Sequence, residues 1–119
     1  MPQLPLDLLY GSGDVLILRA IAAEAMHGYA ISRFVRDRSN GILGIEGAAL
    51  YQALHRLERK GWVASTWGVS ENNRRARFYR ITTAGKRQLQ SETVTWRLMV
   101  EGMTRVLELA PVRVHDAIA

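Results

Sequence analysis

From Glu46 to Thr82 the chain reads EGAALYQALHRLERKGWVASTWGVSENNRRARFYRIT, and the fold turns on how this stretch is read. In its first part, Glu46 to Lys60, Leu50, Ala53, Leu54 and Leu57 recur at intervals of three and four, which predicts a helix burying one narrow face. The opposite face collects Gln52, His55, Arg56 and Arg59, with Tyr51 beside them, so amide, imidazole, guanidinium and phenol groups share an exposed surface. Gly61 ends the helix. Trp62 to Val69 and Arg77 to Thr82 are rich in β-branched and aromatic residues and read as two strands. Between them lies Ser70-Glu71-Asn72-Asn73-Arg74-Arg75-Ala76. Asparagine tolerates the left-handed backbone of a hairpin tip, so Arg74 and Arg75 should project from the end or flank of an antiparallel hairpin. Packing alone gives no reason for a basic tip.

Upstream, Asp14 is expected to cap a helix carrying Val15, Leu18, Ile21 and Ala22. It follows an apolar arm, Leu4 to Tyr10, and an entry marked by Gly11 and Gly13. His27-Gly28 breaks that helix, and a second runs from about Tyr29 to Arg38, with Ile31, Phe34 and Val35 inward and Arg33, Arg36 and Arg38 outward. Ser39 to Ile45 reads as a connector able to add a short strand. Its glycines make no phosphate cradle, because no Lys-Ser/Thr follows and no βαβ unit precedes. Helix, helix, exposed-face helix and basic hairpin, in that order, describe a winged helix-turn-helix, in which the third helix enters the major groove and the hairpin touches the backbone.

Downstream, Thr83 is expected to cap a helix that meets no breaker before Pro111, apart from Gly85 and Gly102, which are read as tolerated. Its roughly 28 residues would span about 42 Å, more than a domain of this size covers along one side. Leu89, Thr93, Trp96, Val100, Met103, Leu107 and Ala110 alternate by four and three, the spacing of a helix seam, and Met99 and Val106 widen the stripe. The expectation is a homodimer sealed by this helix and the N-terminal arm, with two-fold symmetry. The fold class is therefore mainly α with a small β-hairpin. Residues 1–82 form the winged helix-turn-helix with its arm, and residues 83–119 the C-terminal dimerisation helix and tail.

Charge and composition agree with this reading. The 119 residues carry a net charge of +5, and its excess is local: residues 46–80 hold seven basic against three acidic groups, whereas residues 1–45 hold four of each. Such segregation suits a surface that meets a polyanion. The chain has no cysteine, hence no disulfide framework and no thiolate metal site. The three histidines, at 27, 55 and 115, lack metal-ligand spacing, and no two acids share an apolar setting, so neither an enzyme nor a cofactor is expected. Val15 to Met26 is too short to span a bilayer and contains Arg19 and Glu24, and Met1 to Leu9 lacks a basic leader region. A soluble cytoplasmic protein with no membrane partner is expected.

The blocks Leu9-Tyr10-Gly11-Ser12-Gly13-Asp14-Val15-Leu16-Ile17-Leu18, His27-Gly28-Tyr29, Ala49 to Glu58, Gly61-Trp62-Val63 and Trp67 to Thr82, in this order, closely resemble the PadR family of transcriptional regulators. The likeness covers about residues 8 to 100. It implies a bacterial-type homodimeric repressor of the short type, with a single C-terminal helix, acting on palindromic operators that often carry ATGT and ACAT half-sites. By position, the helix with Tyr51, Gln52, His55 and Arg56 resembles the family's recognition helix, and Arg74, Arg75 and Arg77 its wing. Gln52 stands where the family usually has proline, and Gly13 where it usually has leucine.

The candidate DNA-binding residues are thus Tyr51, Gln52, His55, Arg56, Arg59, Arg74, Arg75 and Arg77. The wing arginines are expected on phosphates or in the minor groove, Gln52 and Arg56 on base edges, and the Tyr51 hydroxyl on a phosphate. Trp96, with Leu89, Val100, Met103 and Leu107, marks the candidate effector or dimer interface, since the interface of short family members accommodates flat aromatic compounds and an indole offers a stacking face. The expected function is a sequence-specific DNA-binding transcriptional regulator, a homodimeric repressor released by a small aromatic effector. The alternative is a winged-helix protein-interaction module or co-regulator without specific DNA binding.

Overall fold

The computed structural model describes residues 12–108. Its elements in chain order are α1 (Ser12–Ala20), β1 (Met26–His27), α2 (Gly28–Arg38), α3 (Gly47–Arg59), β2 (Val63–Val69), β3 (Arg75–Ile81) and α4 (Thr83–Val106). The expected arm, Leu4 to Tyr10, and the seam residue Ala110 lie outside the described residues.

The core forms where α1, α2 and α3 meet: Ile17, Leu18 and Ile21 from the first helix and its exit, Ile31 from the second, and Leu50, Leu54 and Leu57 from the third are almost wholly buried. All of these but Ile17 are positions picked out by helical spacing, whereas Val15 and Ala22, also expected inward, are only partly buried. Each helix alone would expose its apolar stripe; the three together remove it from water, which gives the domain its main stabilising term.

Helix limits are set by local hydrogen bonds. His27 caps α2, its Nδ1 accepting from the Ala30 amide at 3.2 Å. At the far end of α3, Gly61 at φ +77° donates its amide to the Glu58 carbonyl while Trp62 donates to that of Leu57, closing the carbonyls of the last turn in a Schellman arrangement. The cap of α4 is Thr82 rather than the expected Thr83, because the Thr82 hydroxyl accepts from the Gly85 amide and donates to the Gly61 carbonyl. Asp14 is likewise not the cap of α1. That helix begins at Ser12, placing Asp14 in its first turn, and it ends at Ala20 rather than near His27.

The sheet is antiparallel in the order β1-β3-β2. Its third strand comes from Met26–His27 paired with Phe78 and Tyr79, and not from the Ser39–Ile45 connector. In β2 and β3, Val63 faces Ile81 and Val69 faces Arg75, so β3 begins two residues earlier than expected and takes Arg75 into the ladder. The turn from Ser70 to Arg74 is closed by Ser70 N–H to Arg74 O at 2.8 Å, with Asn73 in the left-handed region at φ 59°.

Helix α4 packs against α1 and β3. Its foot is fixed by Gly85: a Cβ there would lie 2.1 Å from the Trp62 carbonyl oxygen and 2.8 Å from Ile81. Gly85 is therefore required by a close approach of two backbones, where sequence reading takes it as merely tolerated. Farther along, Leu89 packs on the core of its own chain. Beyond Trp96 the helix leaves the body, and Leu98, Val100, Met103, Val106 and Leu107 are exposed. It ends at Val106, short of Pro111, after 24 residues.

Candidate nucleic-acid interface

Between the exposed side of α3, the start of α2 and the β2–β3 hairpin lies an open cleft of about 510 Å³. It brings together Tyr51 and His55 from α3 with Arg74, Arg75 and Arg77 from the hairpin. Three of the other residues named from sequence stand elsewhere. Gln52 and Arg59 lie on the exposed face of α3 outside the cleft, about one turn before and one turn after His55. Arg56 turns the other way, and its Nη2 donates to Asp14 Oδ1 at 2.5 Å. Asp14 is buried and Arg56 half-exposed, so the pair ties α3 to α1 at the margin of the core. A carboxylate removed from water draws the nearest cation to itself, which accounts for the departure of Arg56 from the face shared by Gln52 and His55.

The wing arginines differ in their surroundings. Arg74 sits in the turn and is exposed. The Arg75 guanidinium lies 4.3 Å over the Trp67 ring, whose flat face limits its freedom and leaves its edge donors outward. Arg77 Nε donates to Ser65 Oγ at 2.7 Å, and Ser65 Oγ in turn donates to Glu58 Oε2 at 2.9 Å.

The cleft also contains groups that sequence reading did not assign to it. Tyr29, exposed at the first turn of α2, lies on its wall with Arg33 placed 5.8 Å over its ring. His27 and Gly28 line the base, and the Tyr51 phenol rests so close to Gly28 that a Cβ there would come within 2.5 Å of the hydroxyl. The signal was present in His27-Gly28-Tyr29, but as a helix break it carries no indication of which surface it joins. Tyr79 forms part of the floor. Burial, and secondarily the charge of Glu58, raise its phenol above the ordinary value, with Arg77 pulling the other way, so it stays protonated at neutral pH.

A second concavity, of about 560 Å³ and almost entirely apolar, runs between α1 and α4. Trp96 lines it together with Leu16, Leu89 and Val100. Met103, on the exposed part of α4, and Leu107, just past its end, lie beyond it. No helix among the described residues is long and apolar enough to cross a membrane.

This architecture recurs among known proteins. The chain is 33% identical over 90 residues to an uncharacterized protein X of Lysinibacillus sphaericus, a match spanning 76% of this chain and 83% of that protein. Among solved structures it is similar to a transcriptional regulator of Clostridium thermocellum, with 29% identity, TM-score 0.74 and coverage of 83% of this chain and 96% of that one. It is also similar to a PadR family transcriptional regulator of Eggerthella lenta, with 30% identity, TM-score 0.72 and coverage of 88% and 89%. The family model described as "Transcriptional regulator PadR-like family" matches residues 17–91, from the core of α1 through the first third of α4. With that match over more than half its length, and with the winged helix the model calls for, the chain belongs to the PadR-like family of transcriptional regulators, a family of regulators and not of enzymes.

Proposed function

We propose that the protein is a sequence-specific DNA-binding repressor that acts as a homodimer in the cytoplasm and is released from a palindromic operator by a small aromatic effector. The observation that carries this reading is the joint placement of the polar face of α3 and the arginines of the hairpin around one open cleft. In this reading Gln52, His55 and Arg59 face the major groove, and Arg74 and Arg75 meet the flanking phosphate backbone with Tyr51. Phosphate contacts set affinity and register, and the amide of Gln52, able to make paired hydrogen bonds to adenine, contributes to sequence choice.

Dimerisation is supported by the exposed apolar residues of α4, among them Leu98, Met99, Val100, Met103 and Val106, which a soluble monomer would be costly to display. Residues 1–82 then read DNA while residues 83–119 set the spacing of two copies, whose recognition helices must reach half-sites roughly 34 Å apart. The groove beside Trp96 is large enough for a flat ring system, and an effector there releases DNA by binding better to a dimer whose helices no longer match that spacing.

The test is titration of the purified protein onto a labelled fragment of the DNA upstream of its own gene, against scrambled competitor and across a salt series, with the mass of the complex measured by light scattering. Salt-sensitive preference for that fragment at two chains per site is the expected result. Absence of binding to any duplex at low salt would overturn the reading in favour of a protein-interaction role.

A further inference from the structure

Of the three hairpin arginines, Arg77 alone is engaged on two sides. Its Nε donates to Ser65 Oγ at 2.7 Å, and its Nη2 lies 3.7 Å from Glu58 Oε2. Ser65 Oγ completes the chain by donating to the same Glu58 oxygen at 2.9 Å. The three residues belong to three elements: Glu58 to the last turn of α3, Ser65 to β2 and Arg77 to β3. Register explains how they meet. Arg77 pairs with Trp67 and Ser65 with Tyr79, so Ser65 and Arg77 are diagonal neighbours on one face of the sheet, the face turned to α3. Glu58 is mostly shielded from solvent, which strengthens its hold on both donors.

We infer that Arg77 is a positioning residue and not a contact to nucleic acid, and that Glu58, through Ser65, fixes the angle between α3 and the wing. Two of the guanidinium's donor groups are directed inward, and its charge is already balanced by a carboxylate. A phosphate that took this edge of the guanidinium would have to compete with Ser65 and Glu58 for it. Arg74 and Arg75 have no carboxylate partner among the described residues, and Arg75 lies over the Trp67 ring instead. The importance of the angle for DNA rests on the reading proposed above; the latch itself does not.

Two measurements separate these. Without DNA, amide exchange at residues 70–74 is expected to quicken roughly tenfold in Glu58→Gln and in Arg77→Ala but not in Arg74→Ala, with the unfolding midpoint moved by no more than about 2 °C because the links are partly exposed. The double variant Glu58→Gln with Arg77→Ala should exchange no faster than either single one, as for residues acting as a unit. With DNA, Arg77→Ala is expected to lower affinity roughly five- to tenfold, the scale of one charge-assisted hydrogen bond. The slope of log K against log salt should stay unchanged, whereas Arg74→Ala should reduce that slope by about 0.9. Unchanged exchange in both latch variants, or additive effects in the double variant, would overturn the latch. A slope reduced by about 0.9 in Arg77→Ala would overturn it equally, by making Arg77 a phosphate contact. Failure of the wild-type protein to bind any duplex is a different result, striking the DNA reading while the exchange data still decide the latch.

Discussion

Replacing Gly85 and Gly102, two glycines of the same helix, by alanine should have opposite effects. At Gly85 an added Cβ would stand 2.1 Å from the Trp62 carbonyl oxygen, so α4 must retreat by about 0.9 Å to reach even 3.0 Å. The Thr82 amide bonds that carbonyl at 3.0 Å and the Thr82 hydroxyl bonds the Gly61 carbonyl at 2.7 Å. A retreat of that size carries both beyond hydrogen-bonding distance. Losing two such bonds costs about 2 kcal/mol, and the residual overpacking against Ile81 costs about 1 to 3 kcal/mol more. The higher helix propensity of alanine returns about 1 kcal/mol. The net loss is roughly 2 to 4 kcal/mol, or about 8 to 16 °C in Tm at the scale of a domain of this length. At Gly102 a Cβ meets nothing within 4 Å, so only the propensity gain remains and Tm should rise by about 4 °C. Circular dichroism melts at one fixed protein concentration read both directly. A Gly85→Ala variant that melts within about 3 °C of the wild type would refute the close-approach reasoning, since even the lower bound exceeds that shift.

Other outcomes follow from the same contacts. Arg56→Ala should cost about 2 to 3 kcal/mol in urea unfolding, because it leaves Asp14 buried without its partner; the figure is set below the range for fully buried pairs because the guanidinium is half-exposed. Arg74→Ala combined with Arg75→Ala should lower affinity for specific and random duplex alike and reduce the log–log salt slope by about 1.8, as a salt titration would show. If a planar aromatic compound quenches tryptophan emission in the wild type, Trp96→Leu should abolish that response; quenching that persists places the compound elsewhere. Because the folded state raises the Tyr79 phenol above its ordinary value of 10.0, it holds that proton more tightly than the unfolded chain does. Stability from this source is present below pH 10 and lost as pH rises through the folded value, so denaturant midpoints should fall above pH 10 in the wild type and fall less in Tyr79→Phe.

Much of the fold was legible because its determinants are local and periodic. Leu50, Leu54 and Leu57 announce α3 by spacing, and the turn is placed by Asn73, whose backbone is left-handed in the structure. What escaped sequence reading depends on distant partners. Met26–His27 is too short to show strand alternation and becomes a strand only because β3 offers an edge to it. Arg56 shares helical phase with Gln52 and His55, and nothing in that phase reveals that Asp14, 42 residues earlier, lies buried within its reach. The cleft was legible in its basic and α3 components, but the contribution of Tyr29 and His27 required knowing which surface the start of α2 meets. Gly85 looked like any glycine in a helix until the Trp62 backbone was seen beside it.

The close seat of Gly85 also makes α4 a lever. The helix has 24 residues, so at 1.5 Å each it extends about 36 Å from a foot with no clearance, and the apolar side chains of its far third are exposed. A tilt of about 5° at the foot carries the tip through about 3 Å, several times the movement at the fulcrum. The groove beside Trp96 lies part-way along the arm, where a wedge of atomic dimensions, if one bound there as proposed above, would be converted into a displacement comparable with the rise between neighbouring base pairs. A single helix fixed at one glycine thus provides mechanical gain without a hinge domain.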